Sequence, residues 1–337
     1  MFKGDYDIKH GDCLEVLKTL PDECVDMCVT SPPYLGLRKY SNDAREIGRE
    51  DTPDEYVAKL RDAFYEVKRV LKPTGTLWLN LGDTYDSNKD MLGLPWQVAF
   101  ALKKDGWILR NDIIFAKTNP MPSSVEDRCT SSHEYIFMFS KIPKGYYFDY
   151  EAIEEESIDY LRRNKEDSTT AMLFQEEELG VRGEALKPSM PRFGGNKYGD
   201  SAEADGTYSG RRWEPKYKVI NHGDIGRSDM TMHLRRVEGK QDLLYPVRRK
   251  RDVWNIATHG YAGAHFATFP EKLVEPCILA GCPKNGIVLD CFNGAGTTGV
   301  VALKNHRRYL GIELNEEYIK LSRERIERET AQQTLDF

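Results

Sequence analysis

The apolar positions of the chain follow two periods that alternate over the first 150 residues. Tyr6 to Lys9 reads as a short strand and Asp12 to Leu20 as a helix. Val25 to Thr30 is apolar enough for a buried strand, and it runs straight into Ser31-Pro32-Pro33-Tyr34. Two successive prolines continue neither a helix nor a central strand, so the chain must turn at the carboxyl end of that strand. Tyr56, Leu60, Phe64, Val67 and Leu71 recur at helical spacing and predict a helix from Pro53 to Leu71, ended by Lys72-Pro73-Thr74-Gly75. Thr76 to Leu81 is the next strand and Leu92 to Lys104 the next helix. A strand pair follows, Trp107 to Lys117 and Glu134 to Lys141, around the polar stretch Thr118 to Ser132. Such alternation predicts an α/β fold whose parallel sheet is covered by helices on both faces.

After about residue 150 the period is lost, and Gly, Ser, Arg and acidic residues dominate until about residue 250. Regularity returns at Gly286, with a strand to Asp290, a helix from Thr297 to Lys304, a strand from Arg308 to Glu313 and a closing amphipathic helix from Asn315 to Glu329. The pattern divides the 337 residues into a discontinuous domain, 1–150 with 252–330, an inserted loop-rich region, 151–251, and a tail, 331–337.

Net charge is −6, which excludes a polybasic protein that coats nucleic acid, yet the charge is uneven. Gly206 to Arg251 carries twelve Lys/Arg against five Asp/Glu, so the insertion is strongly basic inside an acidic chain. No apolar run reaches the roughly 18 residues a membrane span needs, and Met1-Phe-Lys-Gly-Asp lacks the apolar stretch of a signal peptide, so a cytoplasmic protein is expected. Seven cysteines without a CxxC or a Cys/His zinc spacing indicate reduced, mostly buried thiols, with neither a disulfide framework nor a metal.

Two motifs carry chemistry. Asp290-Cys-Phe292-Asn-Gly294-Ala-Gly296-Thr297-Thr298-Gly299 is a glycine-rich turn between strand and helix. It lets a charged adenosine-type ligand approach the backbone, and Glu313, about twenty residues on, stands where a ribose-binding acid belongs. A tight structural turn followed by a solvated Glu is the other reading. Ser31-Pro32-Pro33-Tyr34 suits the methylation of an exocyclic base amine, whose lone pair is delocalised into its ring. The Ser31 hydroxyl oxygen and the Pro32 carbonyl can each accept one amino hydrogen and draw the nitrogen towards a pyramidal, nucleophilic geometry, while Tyr34 can stack on a base swung out of its helix. The bland alternative is a proline-rich turn.

With both motifs in place, the chain resembles the amino-group DNA methyltransferases that use S-adenosylmethionine, whose catalytic tetrapeptide is (Asp, Asn or Ser)-Pro-Pro-(Tyr, Phe or Trp). The resemblance covers about two-thirds of the chain, and the order of tetrapeptide, basic insertion and glycine turn is similar to the permuted β class. It implies a Rossmann-like mixed sheet, S-adenosylmethionine as cofactor and double-stranded DNA as substrate. The Ser form implies the N4 amine of cytosine, with adenine N6 as the alternative. His10-Gly-Asp12-Cys13 resembles the segment beside the cofactor adenine, a helix cap being the other reading of Asp12. His265-Phe266-Ala-Thr268-Phe269 resembles the segment around the cofactor's methionine moiety, which adds Phe266 and Thr268; many relatives have Lys where Phe269 stands. Asn119-Pro120 and Arg128 to Glu134 resemble segments near the target base.

In such enzymes the insertion reads the target sequence. Its basic residues Arg211, Arg212, Arg235, Arg236, Arg248, Arg249, Lys250 and Arg251 are therefore the expected DNA contacts, against the reading of a merely solvated face. The resemblance also implies a restriction-modification setting, with a cognate endonuclease as a partner. Two rivals belong to other classes. A nicotinamide-dependent dehydrogenase would use the glycine turn but leave the tetrapeptide and the basic insertion unexplained. A DNA-binding protein that has lost catalysis would not need an intact tetrapeptide.

Overall fold

The computed structural model describes residues 4–37, 43–120, 122–156, 232–236, 244–258 and 269–331. They fall into two compact units, Met1–Glu155 with Arg249–Phe337, and Glu156–Arg248.

The first unit is built from the strands β1 (Tyr6–His10), β2 (Val25–Thr30), β3 (Leu71–Leu81), β4 (Ile108–Lys117) and β5 (His133–Ser140), with β6 (Glu155–Glu156) at its boundary. In the second unit, β7 (Met232–Arg236) and β8 (Leu244–Arg248) pair antiparallel, with Met232 opposite Arg248. The first unit then resumes with β9 (Val253–Ile256), β10 (Ile287–Asp290) and β11 (Arg308–Glu313). Its helices are α1 (Cys13–Lys18), α2 (Pro53–Val70), α3 (Leu94–Lys104), α4 (Glu271–Gly281), α5 (Thr297–Lys304) and α6 (Glu316–Ala331). Among the described residues, eight strands form one sheet in the order β1-β11-β10-β2-β3-β5-β4-β9, and only β5 opposes the direction of the rest. This is the mixed α/β sheet that the resemblance implied; the alternating pattern predicted a parallel sheet, and β5 is the strand that departs from it.

Side chains of a strand alternate between the two faces, and the core divides accordingly. Val25 and Cys28 of β2, Leu77 and Leu79 of β3 and Leu289 of β10 meet α1, α2 and α3. Met27, Val29, Trp78 and Val288 face α4, α5 and α6. The long helix α2 starts with a capping box, in which the Thr52 hydroxyl accepts from the Glu55 N–H and the Glu55 carboxylate from the Thr52 N–H, followed by Pro53. A cap of this kind contributes about 1 kcal/mol. Tyr56, Leu60, Phe64 and Val67 form its buried stripe, as predicted.

Three features depart from the sequence reading. Leu71 is not the end of α2 but the first residue of β3, opposite Val25; the next pair is Met27 with Thr76, so Lys72-Pro73-Thr74-Gly75 form a bulge inside the strand. β9 adds an edge strand parallel to β4, too short at four residues to give a period. α4 carries Pro276 in its interior, which costs a backbone hydrogen bond. Burial of Leu273, Val274, Cys277 and Ile278 against the sheet outweighs that loss. Among the described residues no helix is long and apolar enough to cross a membrane.

Candidate active site

Strand direction brings the site together. β1, β11, β10, β2 and β3 are parallel, so His10, Glu313, Asp290, Thr30 and Leu81 all end on one edge of the sheet. Between β10 and β2 the chain direction of assembly reverses, since β10 continues to β11 on one side and β2 to β3 on the other. The crevice outside such a switch point is where open α/β sheets bind ligands. The glycine turn leaves β10 there and the Ser-Pro-Pro-Tyr segment leaves β2 beside it.

The two loops are joined from below. Asp290 is 3% exposed, and its Oδ1 accepts from the Thr30 hydroxyl at 2.5 Å and the Phe292 N–H at 3.0 Å, while Oδ2 accepts from the Thr298 hydroxyl at 2.6 Å. Burial pushes this carboxyl above the usual carboxylate range, against those three donors. The Thr297 hydroxyl accepts from buried Arg325 at 2.8 Å. The side chains of Asp290, Thr297 and Thr298, expected cofactor contacts, are buried and partnered within the protein and hold the turn in shape. Gly296 takes φ +75°, and a Cβ there would stand 2.7 Å from that of Ser322 on α6. Asn293, absent from the sequence reading, completes the support. Its amide donates to Ser322 Oγ at 3.1 Å and accepts from the Tyr309 hydroxyl at 2.7 Å.

Above this support lie half-buried Phe292, Gly294 and Glu313. The Glu313 carboxylate accepts the Gly294 N–H at 2.7 Å and the Asn315 N–H at 2.9 Å. Burial pushes it up to about 7, against those backbone donors. His10 lies opposite Glu313 in the sheet, which brings Asp12 and Cys13 to the same edge. Asp12 Oδ1 caps α1 by accepting the Glu15 N–H at 3.0 Å, the cap reading of this residue. Cys13 is buried, and burial raises its thiol. Phe266 and Thr268 lie outside the described residues.

The tetrapeptide faces a polar cluster drawn from three strands. β5 opposes β3, and β4 opposes β5, so the start of β5 and the end of β4 lie at the edge where β2 and β3 end. Asn80, 3% exposed, directs its Nδ2 at Ser31 Oγ (3.2 Å), the Tyr34 hydroxyl (2.8 Å) and Glu134 Oε2 (2.8 Å). The Tyr34 hydroxyl donates to Glu134 Oε2 at 2.8 Å and lies 3.5 Å from Ser31 Oγ. Lys117 closes the cluster on Glu134 Oε1. Burial, and secondarily the Glu134 charge, raises the Tyr34 phenol well above its ordinary value. The ring lies against Gly82, where a Cβ would stand 2.6 Å from Tyr34 Cε2. Asn80 and Lys117 carry no motif of their own, and only pairing across β3, β5 and β4 shows them. Glu134 sat in a segment singled out by resemblance. Its neighbour His133 is exposed, with its ring edge-on to Tyr135 at 5.3 Å. Asn119 clasps Thr258, donating to its carbonyl and accepting its N–H, both at 2.7 Å.

Of the basic candidates, Arg211 and Arg212 lie outside the described residues, and Arg235 and Arg236 are in β7 with side chains likewise outside. Arg248 ends β8. Within the first unit Arg249 lies 4.9 Å from the Tyr150 ring centroid, Lys250 5.1 Å from that of Trp254, and Arg251 donates to Glu155 at 3.1 Å. These three thus have partners within the chain.

A glycine turn with a half-buried acid, set beside the Ser-Pro-Pro-Tyr segment at a sheet switch point, defines the class: an α/β methyltransferase fold. The DNA methylase family model matches residues 25–324. The Type II methyltransferase M.SmaI of Serratia marcescens is 36% identical over 94% of this chain and 89% of its own. M.Cfr9I of Citrobacter freundii is 35% identical over 95% and 87%. Among solved structures, the PvuII DNA methyltransferase (cytosine-N4-specific) has a TM-score of 0.59 at 18% identity, over 98% of this chain and 93% of that one. A DNA modification methylase of Thermus thermophilus complexed with S-adenosyl-L-methionine gives 0.53 at 22% identity, over 96% and 95%. The chain belongs to the DNA methylase family and is a DNA methyltransferase.

Proposed function

We propose that the protein methylates the exocyclic N4 amine of a cytosine flipped out of duplex DNA, with S-adenosylmethionine as methyl donor. The observation that carries this reading is the placement of Ser31, beside Asn80 and the Tyr34 hydroxyl, one strand away from the glycine turn and two strands away from Glu313. The turn suits that donor. Glu313 offers a carboxylate to a ribose diol, Gly294 and Phe292 line the approach, and Asp12 stands at the adenine side. S-adenosylmethionine supplies a methyl group already made electrophilic by its sulfonium.

The chain therefore supplies orientation and acceptors rather than a strong nucleophile. Ser31 Oγ and the Pro32 carbonyl each accept one hydrogen of the target amine. Asn80 donates to Ser31 Oγ and fixes where its remaining lone pair points. Tyr34, anchored through its hydroxyl, presents its ring to the base. Ser31 in place of Asp favours cytosine N4, and adenine N6 is the second reading because the same acceptors fit either amine. The basic stretch from Arg211 to Arg251 serves as the DNA-recognition surface, and a cognate endonuclease reading the same sequence is the expected partner, both in the cytoplasm.

The test is nucleoside mass spectrometry of mixed-sequence duplex DNA after incubation with the protein and S-adenosylmethionine, with Ser31→Ala as control. N4-methylcytosine made by the wild type and lost in the control supports the reading. N6-methyladenine would keep the chemistry and overturn the base.

A further inference from the structure

The prolines of the tetrapeptide offer no N–H, so at those two residues the carbonyls are the only backbone groups by which the fold can hold the loop. Three carbonyls of the segment have different fates. The Tyr34 carbonyl accepts the Leu37 N–H at 3.4 Å. The Pro33 carbonyl accepts the hydroxyl of Tyr56 at 2.9 Å. Among the described residues nothing donates to the Pro32 carbonyl.

Tyr56 sits in the first turn of α2, 1% exposed, on the face that packs against the sheet. Its ring is ordinary core, but its hydroxyl reaches the loop rather than its own helix, and burial holds the phenol protonated far above its ordinary value. Leu35 and Ile47 are buried in the α2 side of the core, and the Gly36 N–H donates to the Gly48 carbonyl at 2.9 Å.

We infer that Tyr56 is a positioning residue for methyl transfer: by fixing the Pro33 carbonyl inward, it sets the Pro32 carbonyl to accept a hydrogen of the target amine. A residue that precedes a proline is held extended, which applies to both Ser31 and Pro32. With φ fixed at both prolines, successive carbonyls of such a polyproline-like run are turned by about 120°, so tying the Pro33 carbonyl to Tyr56 leaves the Pro32 carbonyl directed elsewhere. The prolines alone restrict φ, and the Tyr56 hydroxyl removes the remaining freedom of the peptide plane. This inference rests on the amine-methylation reading proposed above and extends it from the tetrapeptide to the helix behind it.

Tyr56→Phe keeps the ring and deletes the one hydrogen bond. Single-turnover and steady-state kinetics with duplex DNA, together with calorimetry of S-adenosylmethionine binding, should show kcat about tenfold lower, with KM for DNA and cofactor affinity within about twofold of wild type. Thr52→Val, which removes the helix cap and weakens α2 without touching the loop, is the control for general loosening. It should lower the melting temperature at least as much as Tyr56→Phe while leaving kcat unchanged. An unchanged kcat in Tyr56→Phe, or an equal kcat loss in Thr52→Val, would overturn the positioning role while the wild type still methylates DNA. A wild type that makes no methylated base would overturn the amine-methylation reading itself, and the inference with it.

Discussion

The Thr30 hydroxyl donates to Asp290 Oδ1 at 2.5 Å, joining residues 260 positions apart. Thr30 ends β2, immediately before Ser31-Pro32-Pro33-Tyr34, and Asp290 ends β10, immediately before the glycine turn. One buried hydrogen bond thus ties the base of the Ser-Pro-Pro-Tyr segment to that of the glycine turn. Thr30→Val preserves the shape and deletes the donor. It should cost about 1–3 kcal/mol in urea unfolding, because Asp290 keeps its burial and loses a partner. It should also lower kcat while weakening cofactor binding. Retention of full stability and kcat would show that the contact does not couple the loops.

Gly82 leaves room for the Tyr34 ring. In Gly82→Ala the new methyl meets the ring edge at 2.6 Å, so the ring must move. Turnover should fall by roughly tenfold or more, while cofactor affinity measured by calorimetry stays at the wild-type value. Equal losses in both would place Gly82 in the general fold instead.

Glu134 holds three groups at once: Lys117, Asn80 and the Tyr34 hydroxyl. Glu134→Gln leaves Lys117 without its counter-charge in a part-buried setting, and a loss of about 1–3 kcal/mol is expected. kcat should fall, since Tyr34 and Asn80, the two groups beside Ser31 Oγ, lose their common anchor. Lys117→Met on that background should restore part of the stability, because the unpaired cation is removed. A double-mutant cycle by denaturant unfolding checks this, and strict additivity would argue against coupling.

Glu313 predicts a pH dependence. Its ordinary value of 4.5 is pushed up to about 7 by burial, so between those pH values the folded protein retains a proton that the unfolded chain has released. Its contribution to stability is therefore fully present below 4.5 and lost as pH rises through 7. Cofactor binding should run the other way: a ribose diol donates to the ionised carboxylate, so affinity should increase as pH rises through about 7. Calorimetry at about pH 6 and about pH 8 tests this, with Glu313→Gln expected to abolish the difference. A pH-independent affinity in the wild type would remove Glu313 from the cofactor site.

Local order determined much of this protein. Ser31-Pro32-Pro33-Tyr34, the glycine turn and Glu313 stand out in the sequence because each requires particular residue types at fixed spacing, and the strands and helices around them follow from periodicity. The helix α4 was hidden by Pro276, whose local penalty is outweighed by burial that no window of sequence contains. Only the tertiary structure decided which of the motif residues face outward. Asp290, Thr297 and Thr298 read like ligand contacts in the sequence, and the fold shows that their side chains also bond Thr30, Arg325 and one another beneath the turn. The same holds for Asn80, Lys117 and Tyr56. They carry no local signature because their roles come from strand pairing and helix packing, which bring together groups 17 to 54 residues apart around a tetrapeptide whose own backbone cannot donate a hydrogen bond at its prolines.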